Sequence, residues 1–330
     1  MPNESSPDPL SRAESALPPA FVSRMRDQLG TDHANQAMIA SAHRTPRGVR
    51  FNPLRDAPEN TRRRLEDAGV SFQNVPWCGE ACVIDPEHLP LVLEHPTWKE
   101  GAIHVQSLPS IAAAIALAPQ PGERILDLCA APGGKTSHIA ALMNNQGEII
   151  ANDRSRARSH RMRALLNQLG AHAVVRTHDG TGIGRHEPAS FDRVLVDAPC
   201  SGEGRFDLHN PSTIDDWTVS KTRRLGSLQK SLLHSAISAV RPGGVIVYST
   251  CTYGRLENEA VVERALARYG EGPTGVELDS IPMDLPTMHD PLDLDAPAGS
   301  IIRSLPDPEG DQVAQAMEGF FMARFRRRAR

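Results

Sequence analysis

Arg124-Ile125-Leu126-Asp127-Leu128-Cys129-Ala130-Ala131-Pro132-Gly133-Gly134-Lys135-Thr136 is the stretch whose reading decides the fold. It reads as a short apolar strand ending near an acid, a turn of small residues, and a helix start. Similar apolar runs recur at 148–153, 173–179, 191–197 and 244–251, with helical segments between them. Runs of this kind suit strands buried on both faces, which predicts an α/β fold with a mostly parallel sheet built from βαβ units. Ligands bind beyond the carboxyl ends of such strands, so the residues there are the ones to read for chemistry.

Working outward, residues 21–40 and 56–69 show helical spacing of apolar positions, with extended stretches around 49–51 and 83–84. A small N-terminal α/β module is expected over 21–100, and the main domain over 101–330. Residues 1–20 are rich in Pro, Ser and acids and lack the apolar core of a secretory signal, which predicts a disordered tail and a cytoplasmic protein. Residues 270–318 are acidic and Pro-rich and are expected to form a surface insertion before a last strand at 319–325. The chain has 330 residues, of which 39% are hydrophobic. That is too apolar for a disordered protein, and the longest apolar run, 111–118, is far too short to span a membrane. Five cysteines with irregular spacing do not read as a disulfide framework.

The formal net charge is −4. Residues 277–311 hold nine acids against Arg303, a local −8, so the remainder carries +4. Its bases cluster at Arg44, Arg47, Arg50, Arg55 and 62–64, at 154–163, and at 324–330. On charge alone these read either as solvated faces or as a nucleic-acid surface. With only three Trp, three Tyr and eight Phe, an extended base-stacking platform is not expected. Any nucleic acid would be read through backbone charge and shape.

The small residues from Cys129 to Gly134 let a backbone approach a ligand closely, and the following helix start offers free N–H groups to an anion. A phosphate-binding P-loop would need Gly where Cys129 stands, which counts against nucleotide hydrolysis. Asp153 and Asp179 end the next two runs, where dinucleotide folds place acids near a ribose and an adenine. Together they point to an adenosine-containing cofactor, S-adenosyl-L-methionine among the candidates. The fourth and fifth runs end in Asp197-Ala198-Pro199-Cys200-Ser201-Gly202 and Tyr248-Ser249-Thr250-Cys251-Thr252. Adjacent strands would set both thiols over one cleft. Beside a methyl donor, a thiolate adding to carbon 6 of a pyrimidine makes carbon 5 nucleophilic enough to be methylated.

These motifs, with Glu257-Asn258-Glu259 and Gly319-Phe320-Phe321-Met322-Ala323-Arg324-Phe325, resemble the Nop/Sun family of RNA cytosine-5 methyltransferases over residues 100–330. Weaker likeness at Arg50-Phe51-Asn52 and Val75-Pro76-Trp77-Cys78 reaches the N-terminal module. The resemblance implies a Rossmann-like class I methyltransferase fold with a seven-stranded sheet, and S-adenosyl-L-methionine as cofactor. It further implies Cys251 as nucleophile and Cys200 assisting product release, with Asp197 and Lys135 touching the base. Cofactor contacts would come from Cys129, Ala130, Ala131, Pro132, Gly133, Gly134, Lys135, Asp153, Asp179 and Asp197. Its implied partner is structured RNA, ribosomal ahead of transfer RNA, acted on by a monomer with no metal and no membrane. The chain departs from the family where a Gln-Glu pair precedes the first strand, because Gln106 is followed by Ser107. Cys78, Cys82 and His88 lack the ligand spacing of a zinc site. The rival readings are a DNA cytosine-5 methyltransferase, whose nucleophile would be Cys200, and a non-catalytic RNA-binding or ribosome-assembly factor.

Overall fold

Burial of Val49, Phe51, Val83 and Ile84 builds a small antiparallel sheet near the start of the chain. Its strands are β1 (Arg47–Phe51), β2 (Phe72–Val75), β3 (Cys78–Ile84) and β4 (Ile103–Val105), in the order β2-β3-β1-β4. The computed structural model describes residues 8–272, 275–283, 288–289 and 296–329.

The five apolar runs become β5 (Arg124–Asp127), β6 (Glu148–Asn152), β7 (Val174–Arg176), β8 (Phe191–Asp197) and β9 (Val240–Thr250), all paired in parallel. After them come β10 (Val276–Leu278), β11 (Met288–His289), β12 (Ile301–Ser304) and β13 (Phe320–Arg327), which pair antiparallel. The sheet runs β7-β6-β5-β8-β9-β13-β12, the seven strands of a Rossmann-like class I methyltransferase fold, with short β10 and β11 added. Both faces are covered. Leu126, Val194, Val196 and Ile246 pack on the helix Val219–Ala239, while Ile125, Leu195 and Val247 pack toward the helices Leu108–Leu117, Gly134–Leu142 and Arg156–Leu169. Strand residues of alternating direction thus serve two apolar layers, which is why the runs are continuous in sequence.

Three expectations need correction. Residues 9–16 of the expected disordered tail form a helix, Pro9–Ala16, with Asp8 as N-cap and Pro at its first turn, a helix-start pattern that composition obscured. Its Ala13 and the following Leu17 are buried in a cluster with Phe21, Met25 and Trp217, which holds so short a helix in place. Residues 1–7 lie outside the described residues. The stretch 270–318 is not all surface insertion, because β12 is a fully buried strand of the main sheet, and 273–274, 284–287 and 290–295 within it lie outside the described residues. Charge segregation along the chain is also partly cancelled in space. β10 pairs with β13, so Asp279 meets Arg324 at 2.5 Å and Arg326 at 2.8 Å, and Glu277 meets Arg328 at 2.8 Å.

The first basic cluster likewise turns out to be partly internal. Arg50 is fully buried, donating from Nε to Gln106 (3.0 Å) and from its terminal nitrogen to Ser137 Oγ (2.8 Å) on the helix Gly134–Leu142. Asn52 Nδ2 donates to the carbonyls of Gly101 (2.7 Å) and Leu169 (2.8 Å), and Arg55 Nε donates to that of Gln168 (2.9 Å). These bonds tie the N-terminal module to the main domain, with the other terminal nitrogen of Arg50 left without a partner among the described residues.

Candidate active site

β8 and β9 run side by side with Asp197 in register with Ser249, which brings the loops after them over a single cleft of about 560 Å³. Cys129, Ala130, Ala131, Pro132, Gly134 and Lys135 form one wall. Asp197, Cys200 and Cys251 face them. Gly133 stands just behind, at φ 110°, where a Cβ would lie 3.1 Å from Met162 Cγ, so only glycine lets the turn enter its helix. Asp153 and Asp179 do not line the cleft. Asp153 is buried, bonded to the Ser155 N–H (2.9 Å) and ion-paired with Arg158 (3.1 Å), and Arg158 in its place reaches the wall. Asp179 caps the turn Gly180–Gly182 through Thr181, and those hydrogen bonds hold its carboxyl below the usual range.

The two thiols are 3.1 Å apart, sulfur to sulfur. The Cys251 N–H also donates to Cys200 Sγ (3.3 Å). The Cys200 hydrogen bond holds the Cys251 thiol below its usual pKa against the opposing effect of burial, and the Arg205 guanidinium adds to the lowering. Cys200 is pushed the other way, first by that same bond and then by burial. Cys251 is thus the more acidic thiol of the pair and Cys200 the less acidic one. The other cysteines are poor nucleophiles: burial pushes Cys78 to about 11, Cys82 to about 12, and Cys129 well above its ordinary value.

Lys135 Nζ donates to Asp197 Oδ2 (2.8 Å) and to Ser110 Oγ (3.0 Å), while Ser249 Oγ donates to Asp197 Oδ1 (3.0 Å). Both carboxylate oxygens of Asp197 are thus oriented. Behind the thiols, the buried Glu257 joins the two cysteine loops. Its Oε1 accepts from Ser201 Oγ (2.5 Å), and its Oε2 accepts from the Ser201 N–H (2.9 Å) and Gln229 Nε2 (2.9 Å). Tyr248 donates to its carbonyl (2.5 Å), and the Ser201 and Thr252 hydroxyls meet at 2.8 Å. Next to it, the Asn258 side chain accepts from Thr250 Oγ1 (2.5 Å) and donates to the Thr252 carbonyl (2.9 Å). Glu259 ion-pairs with buried Arg303, which also donates to the Tyr253 carbonyl (2.8 Å).

Sequence reasoning missed Asp127, Ser110, Arg205 and Glu318, all of which line the cleft. Only Asp127 had a signal, being the acid at the end of the deciding strand. It is fully buried, bonded through Oδ2 to Thr136 Oγ1 (2.6 Å), with Oδ1 left without a partner. Burial pushes its carboxyl up to about 7.

A family model for the 16S rRNA methyltransferase RsmB/F matches residues 114–326, and one for the N-terminal domain of 16S rRNA methyltransferase RsmF matches residues 17–108. The chain belongs to the RsmB/F family. Ribosomal RNA small subunit methyltransferase F of Serratia proteamaculans is 38% identical over 264 residues, covering 77% of this chain and 54% of that relative. Its counterpart in Cronobacter sakazakii is 35% identical over 320 residues, covering 95% and 64%. The chain thus spans just over half to about two thirds of the length of these curated relatives. The crystal structure of a methyltransferase homolog protein from Pyrococcus horikoshii has a TM-score of 0.79 and 30% identity, with 98% of this chain and 100% of that one covered. NSun6 from the same organism shares the fold at 21% identity, with a TM-score of 0.81 over 95% of this chain and 99% of that one.

S-Adenosyl-L-methionine is the cofactor of the RsmB/F fold, and the cleft fits it. An orphaned, buried carboxylate oxygen at Asp127 needs a cationic donor such as an α-ammonium group, and the turn ending at Gly134 leads into a helix N-terminus suited to the α-carboxylate.

Proposed function

We propose that this chain methylates carbon 5 of a cytosine in ribosomal RNA of the small subunit, through a covalent adduct on Cys251. The relatives' names supply the RNA class, and the observation that carries the chemistry is the pair of thiols 3.1 Å apart beside the Lys135–Asp197 pair. When bound, S-adenosyl-L-methionine supplies an electrophilic methyl group. Asp127, the 129–134 turn and Arg158 would hold it, with Asp153 and Asp179 as the acids for its ribose and adenine.

The residues act in sequence. Cys200, 3.1 Å away, and Arg205 both lower the Cys251 thiol toward the thiolate that must attack. The Cys251 thiolate bonds to carbon 6 of the cytosine, and the ring electrons move to carbon 5, which becomes the methyl acceptor. Asp197, fixed by Lys135 and Ser249, accepts a hydrogen bond from the exocyclic amino group, which uracil lacks. Loss of the carbon 5 proton then restores the ring double bond and expels the Cys251 thiolate, with Cys200 adjacent to assist that release. Both thiols lie inside the cleft, so the target base leaves its stack to react. Neither thiol addition nor methyl transfer requires a metal, and we read the enzyme as a cytoplasmic monomer.

The test uses small-subunit RNA lacking the modification. Cys200→Ala is expected to accumulate a covalent protein–RNA adduct, and Cys251→Ala to be inactive and free of adduct. Retained activity in Cys251→Ala would sink the mechanism, and an adduct mapped to Cys200 would favour the DNA-type assignment.

A further inference from the structure

A second cavity of about 490 Å³ adjoins the catalytic cleft, and Arg205 and Glu318 line both. The sill between them is tightly built. The Gly204 N–H donates to the Cys251 carbonyl (3.0 Å) and the Gly319 N–H to the Gly204 carbonyl (3.3 Å), and a Cβ on Gly204 would lie 1.8 Å from the Gly319 oxygen. The loop carrying the nucleophile is therefore also the edge of the second cavity. Phe21, Phe206 and Tyr253 give that cavity an apolar floor, while His43, Arg44, Arg47 and His209 stand around it.

The charges of this cavity are arranged asymmetrically. Its acid Glu203 is buried and committed to Arg24 (2.5 Å), Trp217 Nε1 (2.7 Å) and the Tyr253 N–H (3.2 Å). Asp207 turns back on its own loop, accepting from the His209 N–H (2.8 Å). Arg44, Arg47 and Arg205 are exposed, and none has a side-chain hydrogen bond or ion pair with the described residues. Most other arginines of the expected basic clusters are spent on carboxylates or carbonyls. Glu318 on the sill faces Arg47 and Arg205, and Arg205 also faces the two thiols, yet no carboxylate among the described residues ion-pairs with any of the three guanidiniums. Around an apolar floor they match a nucleotide, with a base to cover the floor and a phosphodiester to take the charge.

Resting on the function proposed above, we propose that this second cavity receives the ribonucleotide adjoining the target cytosine, with its phosphodiester held by Arg44, Arg47 and Arg205. A base extruded into the catalytic cleft pulls its neighbour to the sill, and continuity of the two cavities gives that neighbour a seat. The N-terminal module would then contribute directly to target choice, through the turn after its long helix.

The full-length Cys200→Ala protein, trapped on small-subunit RNA substituted with 4-thiouridine, is irradiated and digested. The nucleotide next to the adducted cytosine is expected on peptides containing residues 43–47 and 205–213. An adduct with crosslinks confined to other surfaces would overturn the proposal, whereas no adduct at all would overturn the methyltransferase mechanism beneath it. In the otherwise native chain, Arg44→Ala/Arg47→Ala should raise KM for RNA about tenfold or more, with kcat and S-adenosylmethionine affinity within about twofold. The slope of log KM against log salt should fall by between one and two for the two lost contacts. Arg12→Ala, on an exposed arginine that does not line the cavity, should leave KM unchanged. An unchanged KM in the double variant refutes the assignment. So does uridine monophosphate binding wild type, but not the double variant, more tightly than RNA does, because that outcome marks a free-nucleotide site.

Discussion

Replacing Glu257 tests whether the two cysteine loops are held together as the hydrogen bonds indicate. In Glu257→Ala, the Ser201 N–H, Ser201 Oγ and Gln229 Nε2 all lose their acceptor in a buried place. The Ser201 hydroxyl can turn to Thr252 Oγ1, 2.8 Å away, and Gln229 keeps its bond to the Pro199 carbonyl (2.8 Å). Two donors are left unsatisfied, at about 1–3 kcal/mol each, so a stability loss of about 3–4 kcal/mol is expected. Glu257→Gln behaves differently. Its carbonyl can take the Ser201 N–H and Gln229, and its amide can donate to Ser201 Oγ, which passes its proton to Thr252. Burial already pushes the Glu257 carboxyl up, against Ser201 and Gln229, so removing its charge relieves part of a penalty. The expected loss is about 1–2 kcal/mol. Urea unfolding gives the stabilities, provided the slope is unchanged. Alkylation rates at Cys251, followed by peptide mass against pH, report the site itself. Loosening Ser201 moves the neighbouring Cys200 away, so the Cys251 titration should shift upward in Glu257→Ala and little in Glu257→Gln. If Glu257→Ala unfolds within about 0.5 kcal/mol of wild type, the loops are held by something else. If Glu257→Gln is as damaging as Glu257→Ala, charge rather than hydrogen-bond geometry decides.

Further outcomes follow from buried charge. Asp127 has its carboxyl raised from 3.8 to about 7 by burial, so the folded state binds a proton the unfolded state has released. This group's contribution is greatest below about pH 4 and declines as pH rises to about 7, so Asp127→Asn should flatten the fall in stability over that window. Calorimetry in buffers of different ionisation heat should also show a fraction of a proton released when S-adenosylmethionine binds near pH 7, and no such release in Asp127→Asn. Glu259→Ala strands Arg303 inside the protein and should cost about 3–5 kcal/mol, whereas Glu259→Leu/Arg303→Met should cost less than the single change. A single-variant loss below about 1 kcal/mol would refute this. Hydrogen peroxide should convert the Cys251 thiolate to a sulfenic acid, from which Cys200 expels water to give a disulfide, with activity restored by dithiothreitol. Prior oxidation of Cys78 or Cys82 would contradict the assigned acidities.

The main sheet was legible because β5, β6, β8 and β9 are buried on both faces, so their apolar runs need no knowledge of their partners. The cysteine pair was legible for a related reason, since adjacent strand ends share a cleft. Charged residues were read less well. Arg50 and Arg55 look in sequence like members of a basic patch, yet one is interior and the other caps a helix end, because their partners lie 50 or more positions away. Arg324, Arg326 and Arg328 look like a basic tail until antiparallel pairing sets them against Asp279 and Glu277. Asp153 and Asp179 follow the ends of β6 and β7, where the sequence places them, and their present partners, Arg158 and nearby backbone N–H groups, could not be read from the pattern of apolar runs. Glu257 stood in a quoted motif, and its role needed the third dimension, since Ser201 and Gln229 come from two other segments.

Arg50, Asn52 and Arg55 lock the N-terminal module onto the cofactor helix and onto the end of the helix Arg156–Leu169. The span from the module's outer face to the Cys251 sulfur is therefore fixed by interior bonds rather than by a tether. An enzyme built this way measures its substrate as callipers do. Under the function proposed above, a cytosine would be eligible where RNA held by the module stands at the set distance from it, and an identical base one step along the strand would fall outside the jaws.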